Sequence, residues 1–312
     1  MLPKKYKTPL RYPGGKSRAT KTLFEYFPAD KVKRYYEPFI GGGSMAIEFT
    51  RRFPKSMVTV SDLDPAVYSF WRTLRDYPVP LTELLLESKS VCVDAAGHRK
   101  LFDESKEYLS DVDRNNMKDT LKVAHAFFVV NKCGFSGLMA GGFSEQASRS
   151  NFSISNIKAL PYYGAHIKNW RIFNADANSM IVEADKVPNA LVYLDPPYAK
   201  VGKDGKSFIY GKDGDMHKSF DHERFCNSVL ASKSNCLISY DNNELIREMY
   251  SGFDQETFDL TYTMHSGKAY REDEKKRKEL VMWNYKKQGF VGLEIDLLVI
   301  DEYESISSLL ND

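Results

Sequence analysis

The chain has 312 residues and carries 44 Lys and Arg against 42 Asp and Glu, a net charge of +2. Hydrophobic residues make up 42 % and charged residues 28 %, a globular balance that excludes a disordered chain and a uniformly basic nucleic-acid coat. The length allows one large domain or two, with a core big enough to need no disulfide or structural metal.

The charge is unevenly placed. Residues 1–34 hold ten Lys and Arg against Glu25 and Asp30, a local +8, while residues 290–312 hold six acids and no base, a local −6. Such a basic arm suits a polyanionic partner or a solvated surface equally well. Within it, Tyr12-Pro13-Gly14-Gly15-Lys16 is a turn that sets a lysine beside glycine backbone, able to meet a carboxylate or a phosphate. The first strand is expected over 35–40, running into Gly41-Gly42-Gly43, and a helix starts over 44–49. A second strand over 57–60 leads to Ser61-Asp62, and Pro65 opens a helix to about residue 75, because proline suits a first helical turn. This β–turn–α–β–α order begins a doubly wound sheet.

Residues 76–165 change character. Helical stretches are expected at 81–88, 98–109 and 118–130, followed by a Gly/Ser-rich loop from 134 to 155, with no strand. That pattern reads as an inserted helical domain over 76–165, with 1–75 and 166–312 forming the α/β domain around it. Strands resume at 171–174, 191–194 and 236–239, with helices at 221–232 and 243–250. Strands at 256–262 and 279–285 read as a closing hairpin, since no helical stretch separates them. The apolar stretch 290–300 is expected to pack on the core.

Cys92, Cys133, Cys226 and Cys236 form no CxxC pair, and the histidines form no HExxH, so neither a disulfide framework nor a zinc site is expected and no metal is required. No apolar run nears the roughly 18 residues of a membrane span. A cytoplasmic protein without a membrane partner is the expectation.

Three motifs carry chemistry. Asp195-Pro196-Pro197-Tyr198 follows a fully apolar run, at the strand end where open α/β sheets place their ligands. Its prolines remove two backbone donors, leaving a carboxylate, carbonyls and an aromatic face. That is an acceptor-only cradle for an amino group on a flat ring. An exocyclic base amine is a poor nucleophile because its lone pair is delocalised, and hydrogen bonds to Asp195 and the Pro196 carbonyl would favour a pyramidal nitrogen. Tyr198 would stack on a base taken out of the duplex. Glu37-Pro38-Phe39-Ile40-Gly41-Gly42-Gly43 opens the first helix, and Asp62 lies 19 residues past Gly43, so the loop points to an adenosine-type cofactor without choosing one. Asn174-Ala175-Asp176 follows a strand and either reaches an adenine edge or caps a helix.

In this order, RYPGGK (11–16), EPFIGGGSMAIEF (37–49), SDLDP (61–65), NADA (174–177) and DPPY (195–198) resemble the Dam-type DNA adenine methyltransferases of class alpha. ISYDN (238–242) and KRKELVMWNY (276–285) are similar to that family's later motifs, so the resemblance spans residues 8–286. It implies a Rossmann-like S-adenosyl-L-methionine-dependent methyltransferase sheet, in which 1–75 and 166–312 are catalytic and 76–165 recognises double-stranded DNA. It implies methyl transfer to the N6 amino group of a flipped adenine. It assigns Tyr12, Lys16 and the nearby Asp195 to the cofactor, and Glu37, Phe39, Gly41 and Gly43 to its methionine side. Asp62 would hold the ribose, Asp176 the adenine, and Asp195, Pro196, Pro197 and Tyr198 the target base.

The insert carries Asn131-Lys132-Cys133-Gly134-Phe135-Ser136-Gly137-Leu138, where the family pattern is close to NRxGFNGLxRxN. Lys132 replaces Arg, Ser136 replaces Asn, and the basic and polar residues that follow are replaced by Met139-Ala140-Gly141-Gly142, so the resemblance does not fix GATC as the site read. Asn131, Lys132, Phe135, Ser136, Arg149, Lys268 and Arg277 are the expected DNA contacts. Cytosine-N4 methylation uses the same amine chemistry, and a non-catalytic DNA-binding protein of this fold stands as a reading of another class. A nicotinamide-dependent oxidoreductase fits the glycine loop and leaves DPPY unexplained. Cytosine carbon-5 methylation is disfavoured, because no Pro-Cys nucleophile motif is present.

Overall fold

Seven strands of the α/β portion form one sheet among the described residues: β1 (Arg34–Glu37), β2 (Met57–Asp62), β3 (Arg171–Asn174), β4 (Ala190–Leu194), β5 (Asn235–Asp241), β6 (Asp254–Thr261) and β7 (Lys276–Trp283). The computed structural model describes residues 7–12, 14–28, 32–112, 120–137, 139–198, 220–261 and 276–287. The strand order is β3-β2-β1-β4-β5-β7-β6. The first five strands pair in parallel, and β7 enters antiparallel between β5 and β6. The order reverses between β1 and β4, which makes their carboxyl ends the switch point where a doubly wound sheet opens a crevice. The Rossmann-like class expected from the sequence is the class observed. β1 stops at Glu37 rather than at residue 40, because Pro38 has no N–H to continue the ladder.

Both sheet faces are covered, so β4 is buried at all five positions. Neighbouring strand residues point to opposite faces. Tyr35 accordingly joins a core with Phe27, Phe49 and Trp71, while Tyr36 joins one with Ile181, Phe225 and Ile238. The flanking helices begin with α1 (Thr20–Phe24), α2 (Ser44–Arg52) and α3 (Pro65–Asp76). In α3, Pro65 takes the first position and the Asp64 side chain accepts the Ala66 N–H, which fixes the helix start.

Between α3 and β3 the described residues form α4 (Pro78–Val91), α5 (Ala95–Asp111), α6 (Thr120–Cys133), a 3-10 turn (Phe135–Gly137), α7 (Glu145–Asn151), α8 (Ile154–Lys158) and α9 (Leu160–Ile167). The helix α6 packs on α3, with the Phe70 and Phe128 rings stacked at 5.9 Å. Gly164 lets α9 close on α3, since a Cβ there would lie 2.6 Å from the Leu74 carbonyl oxygen. The loop expected over 134–155 is corrected: it contains α7. The serines that read as loop are caps, with Ser144 accepting the Ala147 N–H at the start of α7 and Ser153 accepting the Asn156 N–H at the start of α8. After β3 come α10 (Ala177–Asp185), α11 (His222–Leu230) and α12 (Glu244–Met249). Among the described residues no helix is long and apolar enough to cross a membrane, and no group of three or more His, Cys, Asp or Glu could hold a metal ion. The stretch 290–300 lies outside the described residues.

Candidate active site

Lys16 begins a 3-10 turn after the Gly14-Gly15 segment and is 2 % exposed. Its Nζ donates to Asp195 Oδ1 at 2.7 Å, to Asp195 Oδ2 at 2.9 Å, to the Tyr198 hydroxyl at 2.6 Å and to the Gly14 carbonyl at 3.1 Å. The PGGK and DPPY motifs thus meet in one ion pair at the end of β4. The Asp195 side chain keeps 21 % of its surface against 2 % for Lys16, so the lysine is sealed behind a carboxylate that still faces outward. The Ser239 hydroxyl donates to Asp195 Oδ1 at 3.1 Å and is itself hydrogen-bonded to the Tyr193 hydroxyl at 2.8 Å. Burial pushes the Asp195 carboxyl above its ordinary range; Lys16 pulls it back and Glu279 pushes it further up.

Tyr198 ties the site to β7. Its hydroxyl donates to Glu279 Oε2 at 2.6 Å, and Glu279 is 1 % exposed. The Tyr198 ring lies 5.9 Å from the Tyr240 ring, whose hydroxyl is 2.6 Å from His222 Nδ1.

The glycine loop after β1 is shaped by two aromatic rings. Gly43 sits at φ +68°, and a Cβ there would lie 2.5 Å from the Trp71 ring. A Cβ on Gly41 would lie 2.8 Å from the Tyr12 ring, and Trp71 Nε1 donates to the Gly41 carbonyl at 2.9 Å. The glycines therefore answer first to Tyr12 and Trp71, whereas the sequence reading gave them to a ligand. Asp62, 1 % exposed, draws the loop onto β2: Oδ2 accepts the Gly41 N–H and Oδ1 the Asp64 N–H, each at 3.0 Å. Glu37 lies 3 % exposed beneath the loop and accepts the Tyr35 hydroxyl at 2.7 Å. Burial pushes its carboxyl up to about 8, with Asp195 adding to the rise and the Tyr35 hydrogen bond opposing it. Phe39 packs edge-on against Phe220 and Phe225. Asp176 caps α10 by accepting the Asn178 and Ser179 N–H groups, and Asn174 donates to the Asp62 and Leu63 carbonyls, so this strand end is locked to the end of β2. Beside that cap, the Asn178 side-chain oxygen is buried without a hydrogen-bond partner among the described residues.

The expected DNA contacts divide. Asn131 is 1 % exposed; its Oδ1 accepts the Arg11 N–H at 2.9 Å, and its Nδ2 donates to the carbonyls of Arg11 at 2.7 Å and Gly137 at 3.1 Å. Lys132 is 6 % exposed, its ammonium 5.2 Å from the centre of the Phe128 ring, and burial lowers it to about 7. Both are interior residues, because α6 is buried continuously from Ala126 to Cys133 rather than on one face. Phe135 is 44 % exposed on the 3-10 turn and Ser136 follows it at φ 54°. Arg149 is exposed and paired with Glu145 at 2.6 Å. Arg277 lies on β7 opposite Leu260. Lys268 lies outside the described residues.

Sequence reasoning missed Ser239, Glu279 and Trp71 as site residues. The signal for Glu279 was present: it is an acid inside the apolar strand ELVMW, a residue type that is buried only when something pairs with it.

Residues 12–264 match the family model described as D12 class N6 adenine-specific DNA methyltransferase. The chain belongs to that family. The methyltransferase is 26 % identical to the type II methyltransferase M.CviBI of Paramecium bursaria Chlorella virus NC1A, covering 88 % of this chain and 98 % of the relative. It is 24 % identical to M1.LlaDCHI of Lactococcus lactis subsp. cremoris, covering 88 % and 94 %, and 25 % identical to M.MjaIII of Methanocaldococcus jannaschii, covering 65 % and 73 %. Both are also named type II methyltransferases. The adenine-N6 reading therefore stands over cytosine-N4 methylation and over a non-catalytic protein, and DNA is the substrate.

Proposed function

We propose that this DNA methyltransferase uses S-adenosyl-L-methionine, held at the ends of β1, β2 and β3, to methylate an adenine flipped into the Asp195–Tyr198 turn. The observation that carries the reading is the Lys16–Asp195 pair, which joins the PGGK and DPPY segments at the switch point beside the glycine loop. The residues fit the cofactor. Glu37 is a buried carboxyl whose described partners are neutral donors, which suits the ammonium of a methionine group. Asp62 is a buried carboxylate at the end of β2, an acceptor of the kind that suits a ribose hydroxyl. The unpartnered Asn178 oxygen beside Asp176 suits an adenine amino group. Tyr12, Phe39, Gly41 and Gly43 would line the methionine side. When bound, the cofactor supplies an electrophilic methyl group.

Asp195 and the Pro196 carbonyl would accept the two N6 hydrogens and turn the nitrogen lone pair toward the methyl group. Lys16 and Ser239 hold the Asp195 carboxylate in one orientation, so little reorganisation is needed as the nitrogen acquires charge. Asp195, lifted by burial, would then take the N6 proton. Tyr198 would stack on the base, which pays part of the unstacking cost of flipping. Residues 76–165 would read the site, with Phe135, Ser136 and Arg149 on the surface that meets DNA. All four cysteines are buried free thiols, in keeping with a reducing cytoplasm.

The test is methyl transfer from labelled S-adenosyl-L-methionine to DNA, with the product digested to nucleosides and weighed. N6-methyladenine is expected, and Asp195→Ala should lower turnover by at least about 10²-fold while cofactor binding persists. Full activity in that variant would overturn the assignment.

A further inference from the structure

Three carboxyl groups converge on the site, and the reading above gives work to Glu37 and Asp195 only. Glu279 is left over. It sits on β7 between two hydrogen-bonded neighbours, in register with Asp241 of β5 and Phe258 of β6, so its backbone is held from both sides. It is 1 % exposed within an apolar strand, where an acid is costly unless its hydrogen bonds are made.

We propose that Glu279 is a positioning residue that fixes the plane of the Tyr198 ring for the target base. The inference rests on the reading of Tyr198 as the base platform. A tyrosine at the end of a turn can swing about its side-chain bonds, and an aromatic platform that swings stacks poorly. Here the hydroxyl is clamped from both sides: Lys16 donates to it at 2.6 Å and it donates to Glu279 at 2.6 Å. Both clamping groups are sealed from solvent, at 2 % and 1 % exposure. Glu279 also sets the direction of the chain. A carboxylate only accepts, so the Tyr198 proton points to Glu279 and the oxygen lone pairs face Lys16. Glu279 thus orients the stacking ring through its hydroxyl, without touching substrate.

The full-length variants Glu279→Ala, Glu279→Gln, Tyr198→Phe, Tyr198→Ala and the Glu279→Ala/Tyr198→Phe double test this. The readouts are kcat, the KM for DNA, cofactor affinity by calorimetry, and thermal stability. Glu279→Ala and Tyr198→Phe should each lower kcat by about 10-fold or more, the scale of a small misplacement at a reacting group. Cofactor affinity should stay within about two-fold, since the contact removed is with Tyr198 and not with Glu37, Asp62 or Asp176. The double variant should be no slower than the slower single, and Glu279→Gln, whose amide oxygen still accepts, should recover most of the rate. Multiplicative losses in the double variant would overturn the proposal. So would wild-type kcat in Glu279→Ala, or Glu279→Gln as slow as Glu279→Ala. Should Glu279→Ala fail to fold, Tyr198→Phe and Glu279→Gln decide the matter alone. If Tyr198→Ala is dead while Tyr198→Phe and Glu279→Ala run at wild-type rate, only this inference fails. If Tyr198→Ala is fully active, the base-platform reading itself fails.

Discussion

Lys16 Nζ contacts both carboxylate oxygens of Asp195, at 2.7 Å and 2.9 Å. One partner comes from the PGGK turn of the basic arm and the other from the turn after β4, so the pair joins two distant parts of the chain at the site. Replacing Lys16 by Met leaves Asp195 without its cation. A fully buried broken pair costs ~3–5 kcal/mol. Because Asp195 retains 21 % of its side-chain surface, solvent screens part of this, and a loss of about 2 kcal/mol is expected. Turnover should fall by about 10² or more, as a disordered acceptor cannot hold the amine. Urea melts of Lys16→Met and of Lys16→Met/Asp195→Asn check the stability claim: the double variant, with no charge left unpaired, should regain most of the loss.

Glu37 should make cofactor binding release a proton. Its carboxyl is raised from 4.5 to about 8 in the folded protein, so the fold favours the protonated form. The contribution to stability is fully present below the unfolded value of 4.5 and is lost as pH rises through about 8. Glu37→Gln, which stays neutral, should therefore flatten the fall of Tm across that window. An ammonium group placed beside Glu37 pulls the carboxyl down and expels the proton. Titration calorimetry near neutral pH, in two buffers of different ionisation enthalpy, should show release approaching one proton per site, and Glu37→Gln should abolish it.

The sheet was legible chiefly through β2 and β4, whose buried runs end in Asp62 and Asp195, and because DPPY sits where a doubly wound sheet puts its ligands. The Lys16–Asp195 contact was legible only through the family resemblance, since no local pattern couples residues so far apart in the chain. What was illegible has two causes. Serine reads as loop even when it caps a helix, which hid α7 and α8 behind Ser144 and Ser153. A polar side chain also has no periodicity that says which way it points. Asn131 looked like a DNA contact by its place in the motif, yet its amide is spent on backbone groups of the interior.

That clamp makes Asn131 a link between α6 and the segment leading into PGGK. Asn131→Ala would leave the Arg11 N–H and carbonyl without their partner, at a cost of about 2–3 kcal/mol. Because Arg11 and Tyr12 lead directly into Lys16, cofactor affinity should weaken along with stability. Equilibrium binding of S-adenosyl-L-methionine, measured without DNA, separates this from a lost DNA contact: a purely DNA-facing Asn131 would leave cofactor affinity untouched.

Ser136 stands where the family pattern has asparagine, at a position whose backbone by itself favours that residue. It occupies the left-handed region at φ 54°, which costs an ordinary residue roughly 1–2 kcal/mol and which asparagine tolerates better. Ser136→Asn should therefore stabilise the enzyme by about 0.5 kcal/mol, raising Tm by about 1–2 °C. If the position instead reads a base, the same change should alter which DNA sites are methylated. Scanning calorimetry, paired with modification-sensitive sequencing of a genome methylated by each form, tells the two apart: a higher Tm with an unchanged site supports the backbone account, and a changed site with an unchanged Tm refutes it.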